Sequence, residues 1–120
     1  MSAKIKKLTE CLKQLTADSE VDGCALVSDR GQMMSAVLDK GVDEKAVSAM
    51  AAALMSIGGR VGSALGSGNP KNIVIEGNSK LVLVRKLSKA ALIATAPSDA
   101  KIGLIDFEMD KAAGDIESTL

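Results

Sequence analysis

The sequence predicts an α/β sandwich in the order helix, two strands, long helix, three strands, helix, around a five-stranded, mostly antiparallel sheet. Three observations predict it. Apolar residues recur at helical spacing in three segments, five short aliphatic runs of strand type lie between them, and most of those runs are separated by turns of hairpin length. With 120 residues the chain has the size of a single domain, 1–120, with enough core to fold without disulfides.

Residues 3–16 place Ile5, Leu8, Leu12 and Leu15 at spacings of 3, 4 and 3, which makes an amphipathic helix with Ser2 as its N-cap. Asp22-Gly23 opens the apolar run Cys24–Ser28, and Asp29-Arg30-Gly31-Gln32 reads as a hairpin turn into Met33–Leu38. After the break at Asp39-Lys40-Gly41, Asp43 caps the longest helix, with Val42 and Val47 placed as a hydrophobic staple. That helix runs to about Leu65 and stops in Gly66-Ser67-Gly68-Asn69-Pro70. Asn72–Glu76, Leu81–Leu87 and Ala91–Ala96 follow as a meander punctuated by Gly77-Asn78 and Ser88-Lys89. Pro97-Ser98-Asp99 is expected to start the last helix, whose stripe is Ile102, Ile105, Met109, Ala112 and Ile116.

The second helix is unusual because Ala46–Leu65 carries a single charge, Arg60. Val47, Met50, Leu54, Ile57, Val61 and Leu65 form one stripe, while Ala49, Ala52, Ala53, Ser56, Ser63 and glycines fill the other side. A surface helix would be polar there. The length suits a membrane span, but Arg60, three serines and three interior glycines argue against one. A helix buried within one domain remains an alternative. The reading favoured by Gly58, Gly62 and Gly66 every four residues, with Gly59 and Ser63 at the same interval, is close helix–helix packing against a partner subunit. The expected contact residues there are Ala52, Ser56, Gly58, Gly59, Gly62 and Ser63.

Composition removes whole function classes. There is no His, Trp or Tyr, and Phe107 is the only aromatic, so His-based triads, His-containing zinc sites and base-stacking platforms are not expected. Fifteen basic and fifteen acidic residues cancel, leaving no net field for nucleic acid or a membrane surface. The charges segregate locally: Lys71, Lys80, Arg85, Lys86 and Lys89 face only Glu76 within 70–97, a local +4, while 98–120 is −4. Either these are solvated faces or they form a bipolar surface that orients a partner. Cys11 and Cys24, without CxxC spacing, read as small core residues and point to a reducing, cytoplasmic setting.

No chemical motif holds. The Gly66–Lys71 stretch lies after a helix and before a strand, the reverse of a phosphate loop, and Pro70 removes a backbone donor. Asp106 and Asp110 share a helix face, but without further ligands they read as a solvated polar face. Arg85, Lys86 and Lys89 alternate in direction along a strand. No cofactor or metal is expected.

Val21-Asp22-Gly23-Cys24-Ala25-Leu26-Val27-Ser28-Asp29-Arg30-Gly31 resembles the first hairpin of the Roadblock dynein light-chain family. The Ala-rich second helix, Asn72-Ile73-Val74-Ile75-Glu76-Gly77 and Pro97–Ile105 are similar to that family in the same order. The resemblance implies the long helix on one sheet face and the terminal helices on the other. It also implies dimers whose third strands, here Asn72, Ile73, Val74, Ile75 and Glu76, pair edge to edge while the second helices pack together. Many relatives bind or regulate small Ras-like GTPases.

The expectation is therefore a non-catalytic homodimer that docks such a GTPase through its paired second helices and adjoining loops. Met55, Arg60 and the Asp39–Lys45 segment, with Asp39, Lys40, Asp43, Glu44 and Lys45, are the candidate contacts. The alternatives are a scaffold subunit of a larger assembly without GTPase contact and, more remotely, a small-molecule sensor.

Overall fold

A computed structural model describes residues 2–120. The elements are α1 (Ala3–Asp18), β1 (Gly23–Ser28), β2 (Met33–Val37), α2 (Glu44–Leu65), β3 (Asn72–Glu76), β4 (Lys80–Lys86), β5 (Ala90–Pro97) and α3 (Ile102–Thr119). The five strands form one sheet in the order β2-β1-β5-β4-β3. Every ladder is antiparallel, which sharpens the expected "mostly antiparallel" sheet. The edges are β2 and β3.

Two unequal cores lie on the two faces. On one, Leu8, Leu12 and Leu15 of α1 and Ile105, Met109 and Ile116 of α3 meet Leu26, Leu83 and Leu92 of the sheet. On the other, α2 rests on a much smaller cluster of Val27, Val84, Ala91 and Ile93 through Ala51. Period-2 alternation assigns the sides: Leu81, Leu83 and Arg85 point to α1 and α3, while Val82 and Val84 point to α2.

The caps follow the sequence. Ser2 Oγ accepts from Ile5 N–H at 3.1 Å and Asp43 Oδ1 accepts from Ala46 N–H at 3.1 Å, each satisfying one orphan donor. Gly66 adopts φ +74, and Ser67 N–H and Gly66 N–H donate to the carbonyls of Gly62 and Ser63, at 2.8 and 3.4 Å, in a Schellman closure. The last helix begins later than Pro97-Ser98-Asp99 implied. β5 runs through Pro97, a turn closes with Ala100 N–H on the Pro97 carbonyl at 3.0 Å, and α3 starts at Ile102 without a side-chain cap.

Cys24 is wholly buried and its thiol donates to the Leu12 carbonyl at 3.3 Å, joining β1 to α1. Cys11 is only half-buried in the α1–α3 groove, so just one of the two cysteines is a core residue. Burial pushes the Cys24 thiol up to about 12, so the unfolded chain ionises it first. Its contribution to stability is complete below about pH 9 and is lost as pH rises from there toward 12. At pH 8, iodoacetamide should label native Cys11 and spare Cys24 until urea unfolds the chain. Labelling of both at equal rates in the native state would contradict this burial.

Candidate functional site

The surface that singles itself out is the outer side of α2 together with the β3 edge. The residues that the helix buries most deeply against the sheet are small ones. Ser48, Ala51 and Gly62 are its buried positions, whereas Met50 is 58% exposed, Ile57 54%, Val61 51% and Leu65 80%. Only Val47 and Leu54 of the predicted stripe are half-buried against the sheet, and Met55 joins them. Four of the six stripe residues are thus outward, and Ala49, Ala53, Ser56 and Ser63 of the small side are exposed too, so the helix is turned from the expected orientation without being reversed.

The reason is steric. A Cβ on Gly58 would sit 2.9 Å from Ile73 Cδ1 of β3, and one on Gly62 would sit 2.0 Å from the Gly68 carbonyl oxygen. These glycines admit this chain's own strand and loop, so the close approach first assigned to a partner at Gly58 and Gly62 is taken up within the chain. Ala52 likewise abuts Gly31 in the β1–β2 turn, 3.4 Å from where that glycine's Cβ would stand. Gly59, by contrast, has open space where a Cβ would go, and Ser56 and Ser63 are exposed.

On β3, Val74 and Ile75 are 41% and 43% exposed and Glu76 is exposed, while Ile73 is half-buried beneath Gly58. The strand's free edge leaves backbone donors and acceptors without a ladder partner. Asn72 does not face outward. Its side chain accepts from Arg85 Nε at 3.1 Å and donates to Asp106 Oδ1 at 2.7 Å.

That contact belongs to a clasp the sequence concealed. Arg85 is 4% exposed, and its guanidinium reaches Asp106 at 2.6 Å and also Asp110, one helical turn apart on α3. The two carboxylates read as a solvated face therefore hold α3 to the sheet. The basic and acidic segments partly neutralise each other here, so the full bipolar surface suggested by local charge does not form. The i, i+4 spacing of the acids and the placement of Arg85 on an inward register position were the available signals.

The proposed docking residues divide similarly. Arg60 is exposed with no ion-pair partner among the described residues, and Asp39, Lys40, Glu44 and Lys45 are exposed as well. Asp43 is occupied as the α2 cap. Met55 is half-buried against the sheet, and lines a cleft of about 220 Å³ beside Lys86 rather than the outer helix face. Among the described residues no helix is long and apolar enough to cross a membrane, and no group of acidic or sulfur ligands is arranged to hold a metal.

A family model described as "Roadblock/LC7 domain" matches residues 7–96. Two uncharacterized proteins of Methanocaldococcus jannaschii are each 26% identical over 107 residues, covering 89% of this chain and 94% of theirs. The fold is similar to that of Myxococcus xanthus MglB, with a TM-score of 0.90, 18% identity, and 98% and 90% of the two chains covered. It is also similar to an MglB solved in a tetrameric arrangement, with a TM-score of 0.86, 16% identity, and 100% and 95% coverage.

Two stability outcomes follow from the glycine and clasp geometry. Gly62→Leu drives a side chain into backbone and should cost at least the ~1–3 kcal/mol of overpacking, whereas Gly59→Leu, with open space and a better helix former, should hold or raise stability by up to about 1 kcal/mol. Asp106→Ala with Asp110→Ala leaves Arg85 buried without a carboxylate and should cost roughly 3 kcal/mol, at the low end for a broken buried pair because both acids are partly solvated. Urea titrations check both. Equal stability of the two glycine variants would contradict the assigned packing.

Proposed function

Because the chain belongs to the Roadblock/LC7 domain family, we propose that it is a non-catalytic module that pairs with a second copy of itself and docks a small Ras-like GTPase. One observation carries the reading: a row of large exposed aliphatics on α2 meets an uncapped sheet edge. Gly58 lies over Ile73, so Ile57 and Val61 stand close to the strand that exposes Ile75 on the same sheet face. A helix face and a strand edge that are both apolar and adjacent suit a two-fold partner that supplies the same two elements. The tetrameric arrangement of the similar MglB supports self-association of this fold.

The refined pairing surface comprises Met50, Ile57, Val61 and Leu65 with Ile75 and the β3 backbone edge, and Gly59, Ser56 and Ser63 at its margin; Val74, opposite Leu83, is exposed on the other sheet face and would join only through edge-to-edge strand pairing. Its physical basis is burial of large side chains, and small-residue contact is secondary. GTPase docking falls to Arg60 and the exposed Asp39–Lys45 loop. Arg60 supplies an unpaired guanidinium for an acidic patch of the partner.

A scaffold without GTPase contact is the competing reading, and the higher-order MglB arrangement also favours it. Capture of purified Ras-like GTPases from the source organism on the immobilised chain, in GDP and GTP-analogue forms, separates the two. A nucleotide-dependent complex that Arg60→Ala weakens about tenfold or more, a change of about 1.4 kcal/mol, is the expected result. No complex with any of these GTPases, or one indifferent to both Arg60→Ala and Lys40→Ala with Lys45→Ala, would contradict the docking surface.

A further inference from the structure

The face of the sheet beneath α2 holds a second feature that self-association leaves unused. A cleft of about 260 Å³ opens between the β2–α2 connection and the ends of β1, β4 and β5. Its lining is mainly apolar, with Ala25, Val82 and Ile93 on the sheet and Leu38, Val42 and Val47 opposite them. It includes no residue of β3 and none of the exposed aliphatics Met50, Ile57 or Val61.

The polar groups at this cleft are of both signs. Lys80 Nζ donates to Asp22 Oδ2 at 2.7 Å, and the Thr95 hydroxyl donates to Asp22 Oδ1 at 2.6 Å. Burial raises the Asp22 carboxyl, but these hydrogen bonds outweigh it and hold the group below its usual value, so it stays ionised. One ammonium hydrogen is used on Asp22, leaving two for another acceptor. Asp39 also lines the cleft, and its carboxylate has no side-chain partner among the described residues.

Size and charge together select the occupant. The volume lies at the lower edge of the roughly 300–1,000 Å³ of pockets that enclose whole small-molecule ligands, a size suited to a single aliphatic group rather than to a whole nucleotide or large cofactor. An anionic head would meet Asp22 and Asp39, and a cationic head would meet Lys80. A peptide group, with one donor and one acceptor and no charge, can satisfy both kinds of rim group at once. We propose that this cleft is a docking site for an aliphatic side chain on an extended segment of a partner protein. The side chain occupies the apolar floor, its backbone carbonyl accepts from Lys80, and its backbone N–H donates to Asp39. The site is distinct from the α2–β3 surface but shares Asp39 and Val42 with the loop proposed to meet a GTPase, so its test uses the chain alone.

The test titrates the native chain alone with N-acetyl-leucinamide and follows amide resonances by ¹H–¹⁵N correlation spectra. Saturable shifts at Gly23, Ala25, Val82 and Ile93 are expected, with N-acetyl-glycinamide inducing less than a quarter of the effect. N-acetyl-leucine, carrying a free carboxylate, should bind several-fold more weakly than the amide. Ala25→Leu should fill the floor and abolish the shifts. Should that buried substitution unfold the chain, Val82→Phe at a half-buried position provides the same blockade. Shifts absent, shifts confined to α2 and β3, equal responses to the leucine and glycine amides, or shifts that persist in a folded blocking variant would each overturn the proposal. These readouts involve no GTPase, so a failed GTPase capture leaves them interpretable.

Discussion

The absence of a side chain at Gly62 is the constraint on which the rest of the structure turns. With the Gly68 carbonyl oxygen 2.0 Å from where its Cβ would be, no other residue permits the loop after α2 to fold back at that height. The loop's return sets where β3 begins, and Ile73 then fits under Gly58. Once the helix seats on its small residues, the large ones on the adjoining side have nowhere to go but outward. Exposure of Met50, Ile57, Val61 and Leu65 is thus a consequence of the packing beneath them. Interior glycines cost helix stability, about 1 kcal/mol each against Ala, and close seating is what offsets that cost.

The opposite face of the sheet is built on a different principle. There the aliphatic core formed by α1 and α3 is extensive, and Arg85 adds direction to it by reaching Asp106, Asp110 and Asn72. Through Asn72, the clasp on α3 also holds the first residue of the edge strand. The edge whose outer side is proposed to pair is consequently anchored from behind. The two faces differ accordingly: one has the larger core within the chain, though α3 leaves Leu104 and Phe107 outward, and the other presents a row of apolar residues beside an open strand edge.

Much of this was legible in the sequence. Helical and alternating periodicities located all eight elements, and the caps at Ser2 and Asp43 and the stop at Gly66 follow from side-chain chemistry within a few residues. What the sequence concealed depends on distant neighbours. The direction of α2 could not be read from its moment alone, since both of its sides are apolar or small, and only Ile73 and Gly68 reveal which side is inward. Arg85 in a strand and Asp106 and Asp110 in a helix are separated by 21 and 25 positions, and no local pattern joins them. The start of α3 was misplaced because Ser98 and Asp99 resemble a cap, whereas β5 continues through Pro97 and its turn uses the intervening residues.

The account's central claim is that the outward aliphatics of α2 and the β3 edge together form a self-complementary surface. Sedimentation equilibrium on the native chain and on a chain carrying Ile57→Asp with Val61→Asp tests it most directly, because both positions are exposed and neither supports the fold. The native chain should sediment at twice the 12.3 kDa mass of one chain, or a higher even multiple, and the double variant should fall to a folded monomer. A native monomer at high micromolar concentration, or a variant that associates as tightly as the native chain, would contradict it.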